Sequence, residues 1–206
     1  MLRLVRRAVP VALVLAIGLQ GSALAATVNI SATNTGTTFF FSPKVAKVQQ
    51  GSTALWTNTG TVSHTSTSDT TMPVAWDSGT LAPGATFSFV FTAAGKYTYH
   101  CAFHVSLGMV GTISVPVKAT PPSGPVGTMF TITVATANAT GTQVYDIQMK
   151  VPGGTFQPWM TGITAKSAIF DSTGMATGTY QFRALLRDTA TGKKTQFSGA
   201  KSISVT

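Results

Sequence analysis

The sequence predicts an all-β protein built as two β-sandwiches in tandem, and three observations carry that expectation. Beyond residue 26 the chain is rich in Thr, Val, Gly and Ser and holds no long segment of helical period. Short β-branched or aromatic runs recur at close spacing, separated by Gly or Pro turns, which is the pattern of sandwich strands. A proline cluster, Pro121, Pro122 and Pro125, divides these runs into two groups, because proline cannot continue a central strand.

The first element is not part of either sandwich. Residues 1–7 carry Arg3, Arg6 and Arg7, an apolar run follows from Ala8 to Leu19, and Ala23-Leu24-Ala25 offers a small-x-small cleavage site. That is the order of a secretory signal peptide, with cleavage expected after Ala25; an uncleaved anchor is the alternative. The apolar run is shorter than the roughly 20 residues a membrane span needs, so no transmembrane anchor is expected after cleavage. Arg6-Arg7 lacks the flanking residues of a twin-arginine signal, and no cysteine stands at the cleavage site to take a lipid. The expected location is secreted or periplasmic.

Residues 26–118 form the first expected domain, with strand-like runs at 27–33, 52–58, 86–91, 96–101 and 111–117. Phe87, Phe89 and Phe91 alternate with Ser88 and Val90, giving one aromatic face, and Leu81-Ala82-Pro83-Gly84 is the turn before them. Residues 119–126 are expected to form a semi-rigid Pro/Gly linker. Residues 127–206 form the second domain, with runs at 129–136, 143–151, 167–171, 178–187 and 200–205. Turn signals stand at Pro152-Gly153-Gly154, at 171–174 and at 188–192. Each half is large enough to fold alone.

The chemistry gathers in the first domain. Cys101 is the only cysteine, so an intrachain disulfide is impossible, and an exported protein with one thiol calls for another explanation. Cys101 opens a run that includes His104 and Met109, and His64 stands far upstream. One thiolate, two imidazoles and a weak thioether make the ligand set of a blue-copper electron-transfer site, whose soft sulfur favours Cu(I). Alternation along Tyr97-Thr98-Tyr99-His100-Cys101 places Tyr97, Tyr99 and Cys101 on one face and His100 on the other, so His100 is not expected among the ligands. A structural zinc site would need more cysteines or four firm ligands. Trp56, Trp76, Phe39 and Phe41 read as core.

The stretch Phe41-Ser42-Pro43, Gly51, Trp56-Thr57-Asn58, Gly60, His64-Thr65, the run from Gly95 to Cys101, and Met109-Val110-Gly111 resembles the plastocyanin/azurin (cupredoxin) family over roughly residues 27–117. The resemblance implies a Greek-key β-sandwich holding one type 1 copper ion, with His64, Cys101, His104 and Met109 as its metal ligands. It also implies that His104, in a loop with Val105, Leu107 and Gly108, is an electron port, and that His100 is either a solvent-facing strand residue or part of an exit path. One departure stands out: many members carry Asn after the upstream histidine, tying the ligand loops together, where this chain has Thr65. The second half resembles a fibronectin type III or immunoglobulin-like module in pattern, notably Gly178-Thr179-Tyr180-Gln181-Phe182.

Charge narrows the partners. The formal net charge is +9, and removal of Arg3, Arg6 and Arg7 with the signal peptide leaves +6. The excess lies mainly after residue 118 and fits either plain solubility or steering toward an acidic redox partner or an anionic cell surface. The basic residues are scattered, and export argues against nucleic acid. Past residue 118 there is no His, Cys or Glu, and Asp171 and Asp188 sit in turns where Asp bonds its own backbone, so calcium is not expected. With three histidines in all, the chain lacks those that multicopper oxidases and copper nitrite reductases need, and no enzymatic activity is expected. The leading expectation is an exported carrier of single electrons between redox partner proteins by Cu(II)/Cu(I) cycling, with cell-surface contact through the second domain. The alternatives are a copper-delivery protein, or a surface adhesion module whose cupredoxin fold is incidental.

Overall fold

The computed structural model describes residues 26–206, so the expected signal peptide at 1–25 lies outside the described residues. No helix among the described residues is long and apolar enough to cross a membrane.

The first half contains β1 (Thr27–Thr35), β2 (Thr38–Ser42), β3 (Val45–Lys47), β4 (Ser52–Asn58), β5 (Thr67–Ser68), β6 (Thr86–Phe91), β7 (Gly95–His100) and β8 (Val110–Val115). They form two four-stranded sheets, ordered β2-β1-β4-β6 and β3-β8-β7-β5. Period-two alternation decides which side chains go inside. Ser52, Ala54, Trp56 and Asn58 of β4 are buried, and so are Gly95, Tyr97 and Tyr99 of β7, while the residues between them stay half-exposed. Ile30, Phe41, Trp56 and Phe91 from one sheet meet Tyr97, Tyr99, Ile113 and Val115 from the other in a single core. The triple Phe39-Phe40-Phe41 hides β2 from a pattern reading because a continuous apolar run shows no alternation.

The second half contains β9 (Lys118–Thr120), β10 (Ser123–Gly124), β11 (Met129–Thr133), β12 (Gln143–Lys150), β13 (Phe156–Ile163), β14 (Ser167–Asp171), β15 (Gly178–Asp188) and β16 (Lys201–Val205). A five-stranded sheet, β10-β16-β15-β12-β13, faces a three-stranded one, β14-β11-β9, across a second core that includes Phe130, Ile147, Phe170, Tyr180 and Phe182. Two features differ from the sequence reading. The segment expected as a linker carries strands: β9 pairs with β11 and β10 with β16, because Ala119 points into the second core and the prolines fall between the paired residues. β13 was not anticipated, since Pro158 and Gly162 interrupt it. It lies at a sheet edge, where proline costs no ladder bond, and its register slips around Ile147.

The halves share more than a chain crossing. Ala93, Ala94 and Val117 from the first half pack into the second core. The Ala94 amide donates to the Val134 carbonyl at 2.7 Å, and Lys96 and Gln196 exchange amide-to-carbonyl bonds at 2.9 and 3.2 Å. Buried Gln50 donates its Nε2 to the carbonyls of Pro116 and Thr133, at 2.9 and 3.0 Å.

Candidate metal centre

Cys101 directly follows β7, whose inward set Tyr97 and Tyr99 it continues, and it is fully buried. The chain then folds back on itself. The His104 amide donates to the Cys101 carbonyl at 3.1 Å, a single 3-10 turn spans Val105–Leu107, and Gly108 takes φ +83° to end it. Only glycine enters that left-handed region freely. The return places the Met109 amide on the His104 carbonyl and its carbonyl on the Cys101 amide, both at 3.1 Å, with the Met109 side chain fully buried. A thiol, an imidazole and a thioether are thereby held by one short loop.

His64 arrives from the other side, between β4 and β5. Its amide and carbonyl pair with those of Leu81 at 3.0 and 2.8 Å. The loop that delivers it is shaped by Asn58, which the sequence reading left unassigned. Asn58 is buried, donates to the carbonyls of Val62 and Leu81 at 2.8 and 2.7 Å, and accepts from the Gly60 amide at 2.9 Å. A Cβ at Gly60 would stand 2.5 Å from Asn34 Oδ1 and 3.1 Å from His64 Nε2, so a side chain there would displace Asn34 and crowd the His64 ring.

The result is a compact donor cluster. Ligand atoms of His64, Cys101 and His104 all lie within 4.8 Å of one another. The Nδ1 atoms of His64 and His104 are 3.8 and 3.4 Å from Cys101 Sγ. His64 is fully buried, yet its Nε2 has no hydrogen-bond partner. That nitrogen faces Gly60, while Nδ1 turns toward Cys101 and is the one placed to take a metal. Burial, and then repulsion from His104, holds the His64 pKa below its ordinary value and so favours the neutral ring. The Thr65 amide donates to Cys101 Sγ at 3.3 Å, which orients the sulfur.

Three neighbours complete the surroundings. Phe39, expected in the core, is instead half-buried and stacks on His104 with centroids 3.9 Å apart and planes 7° from parallel. Thr65 recovers the tie between ligand loops that its departure from Asn put in question, since its hydroxyl accepts from the Ala102 amide at 2.8 Å. His100 points away from the cluster, as alternation requires, and its Nδ1 lies 2.7 Å from Asp69 Oδ1 at the half-exposed surface. Apart from the outward turn of His100, these contacts were not visible in spacing alone, because each joins residues distant in sequence.

The fold and the donor set define the first half as a cupredoxin domain, whose metal is copper. Residues 26–116, just under half of the chain, match the family of copper binding proteins of the plastocyanin/azurin type. The chloroplastic plastocyanin of Chlamydomonas reinhardtii is 35% identical over 83 residues, covering 36% of this chain and 57% of the plastocyanin. The chain therefore spans just over half the length of that curated relative. Among solved structures, a purple cupredoxin from Nitrosopumilus maritimus is 32% identical, covering 42% of this chain and 97% of that one, with a TM-score of 0.37. A mutant fern plastocyanin is 23% identical, covering 43% and 99%, with a TM-score of 0.39.

Proposed function

We propose that the protein is an exported carrier of single electrons, holding one type 1 copper ion through His64, Cys101, His104 and Met109. The observation that carries this reading is the gathering of two imidazoles and the lone thiol within 4.8 Å at a buried point fed by separate loops. When bound, copper supplies a one-electron Cu(II)/Cu(I) couple. The chain's own residues do the rest. The Cys101 loop and the Leu81-anchored His64 loop fix the donors in advance, so little rearrangement accompanies electron transfer. Phe39 holds the His104 ring flat, and burial of His64, Cys101 and Met109 excludes water.

His104 is the electron port in this reading. Around it Phe103, Val105 and Leu107 are exposed to 51%, 46% and 62%, an apolar rim suited to brief docking of a redox partner protein. Substrate turnover is not part of the reading, because the cluster offers one metal position and no second group of histidines accompanies it among the described residues. A copper-delivery role is less favoured, since delivery calls for an open site and this donor set is enclosed. We assign residues 26–118 to the copper domain and 127–206 to an immunoglobulin or fibronectin-like module contacting a surface or partner. The Tyr180 hydroxyl, donating to the Ala176 carbonyl four residues upstream at 2.8 Å, supports that kinship as a tyrosine corner would. Export rests on the sequence at residues 1–25.

The test is to add Cu(II) to protein comprising residues 26–206 and record visible and electron paramagnetic resonance spectra beside Cys101→Ser. The expected result is an intense thiolate-to-copper band, reversibly bleached by reductant and absent from the variant. A colourless product, or copper that a weak chelator removes freely, would sink the carrier reading.

A further inference from the structure

The Thr65 hydroxyl does not end its connections at Ala102. It lies 3.0 Å from the hydroxyl of Thr67, which in turn donates to Asp77 Oδ1 at 3.2 Å. Asp77 is exposed, and the same oxygen accepts the Gly79 amide at 2.9 Å, which fixes the carboxylate in place. Thr67 and Asp77 are also bridged through their backbones, while the intervening chain is held by Trp76, whose indole donates to Ser66 Oγ at 3.1 Å.

The order of the protons follows from donor capacity. An ionised carboxylate only accepts, and each hydroxyl has one proton to give. Thr67 therefore spends its proton on Asp77 and must accept from Thr65. Thr65 spends its proton on Thr67, leaving its lone pairs to accept the Ala102 amide. The direction is single: Ala102 amide to Thr65, Thr65 to Thr67, Thr67 to Asp77. Successive bonds of this kind polarise one another, and a charged terminal acceptor strengthens the row.

We propose that Asp77, acting through Thr67 and Thr65, is a positioning residue for the copper centre. The relay grips the amide next to Cys101 from a carboxylate on the surface. Thr65 is where the row meets the metal site, since its own amide donates to Cys101 Sγ while its hydroxyl holds the following residue. Fixing both sides of the sulfur constrains its orientation and electron density, and partners of ligands set reduction potential in this way. The inference rests on the copper-carrier reading for its consequence, but the relay itself exists without the metal.

The test therefore has two arms, applied to Asp77→Ala, Thr67→Val, the double variant and Thr67→Ser. In metal-free protein, the Ala102 amide proton is followed by nuclear magnetic resonance. Asp77→Ala and Thr67→Val should each move it upfield, and Thr67→Ser, which keeps the hydroxyl, should restore it. In copper-loaded protein, the two single variants should shift the reduction potential in the same direction, alter the thiolate band, and add nothing to each other when combined, because they break one row. An unmoved Ala102 amide, or effects of Asp77→Ala and Thr67→Val that simply add, would overturn the proposal. So would an amide that moves while potential and band stay as in the unsubstituted protein. Failure of the carrier reading would look different, since the unsubstituted protein would then show no thiolate band at all.

Discussion

Gly111 is expected to be one of the least replaceable residues in the copper domain. It faces Tyr99 across the β7–β8 pair, and a Cβ at Gly111 would lie 2.3 Å from Tyr99 Cζ, 2.5 Å from its hydroxyl and 2.7 Å from Cε1. Comfortable carbon contacts are about 3.5–4.0 Å. The ring cannot retreat, because it is fully buried with Phe41 at 4.6 Å and Trp56 at 5.4 Å between centroids. In Gly111→Ala either β7 and β8 part locally, a strain of about 1–3 kcal/mol, or Tyr99 leaves the core, a loss of about 3–5 kcal/mol. A destabilisation of about 3 kcal/mol is expected. For a chain of this length that corresponds to a fall in Tm of about 6–12 °C. Urea and thermal unfolding of the metal-free protein measure it. Gly199→Ala serves as control, since the nearest atom to its added Cβ would be Ser114 Oγ at 4.0 Å. A Gly111→Ala variant within about 0.5 kcal/mol of the parent, the usual scatter of harmless substitutions, would refute the reasoning.

Three further outcomes are expected. Gln50→Ala strips donors from the carbonyls of Pro116 and Thr133, and a loss of about 2–4 kcal/mol should appear in urea unfolding, with the two halves still melting together. Phe39→Ala removes the ring stacked on His104, and competition with a chelator should show copper held about 10-fold less tightly, with the fold intact by circular dichroism. Burial alone would raise the Asp146 carboxyl, but its paired bonds from Arg187, the Gly162 amide and nearby Lys194 outweigh that and hold its pKa below 3.8. Its stabilising contribution is therefore complete above pH 3.8 and lost as pH falls through the lower folded value, so Asp146→Asn should flatten the acid end of the stability curve.

That Cys101 and His104 come together was legible in the sequence because one short loop carries them, and spacing in such a loop nearly is geometry. His64 could be matched to them through its own flanks, Asn58 and Gly60 among them. The alternation that turned His100 outward also held, since β7 is buried on one face. What stayed hidden was every relation that needs two elements placed side by side. The stack of Phe39 on His104 requires β2 to lie beside the ligand loop, and the recovery of the loop tie by Thr65 requires a distance to Ala102. The proline-rich segment misled for a related reason. Proline marks where a ladder cannot run, but it does not forbid the two or three residues between prolines from pairing, as β9 and β10 do. Pro158 in β13 is the same case at a sheet edge.

The paired bonds between Lys96 and Gln196 have a consequence for encounters with other molecules. A head on a loose tether explores a volume, and its chance of meeting a partner depends on tether length. Here the strand ending at Cys101 is stitched at its start to the second half. The His104 rim therefore keeps one set direction relative to the second half, so reach is traded for aim.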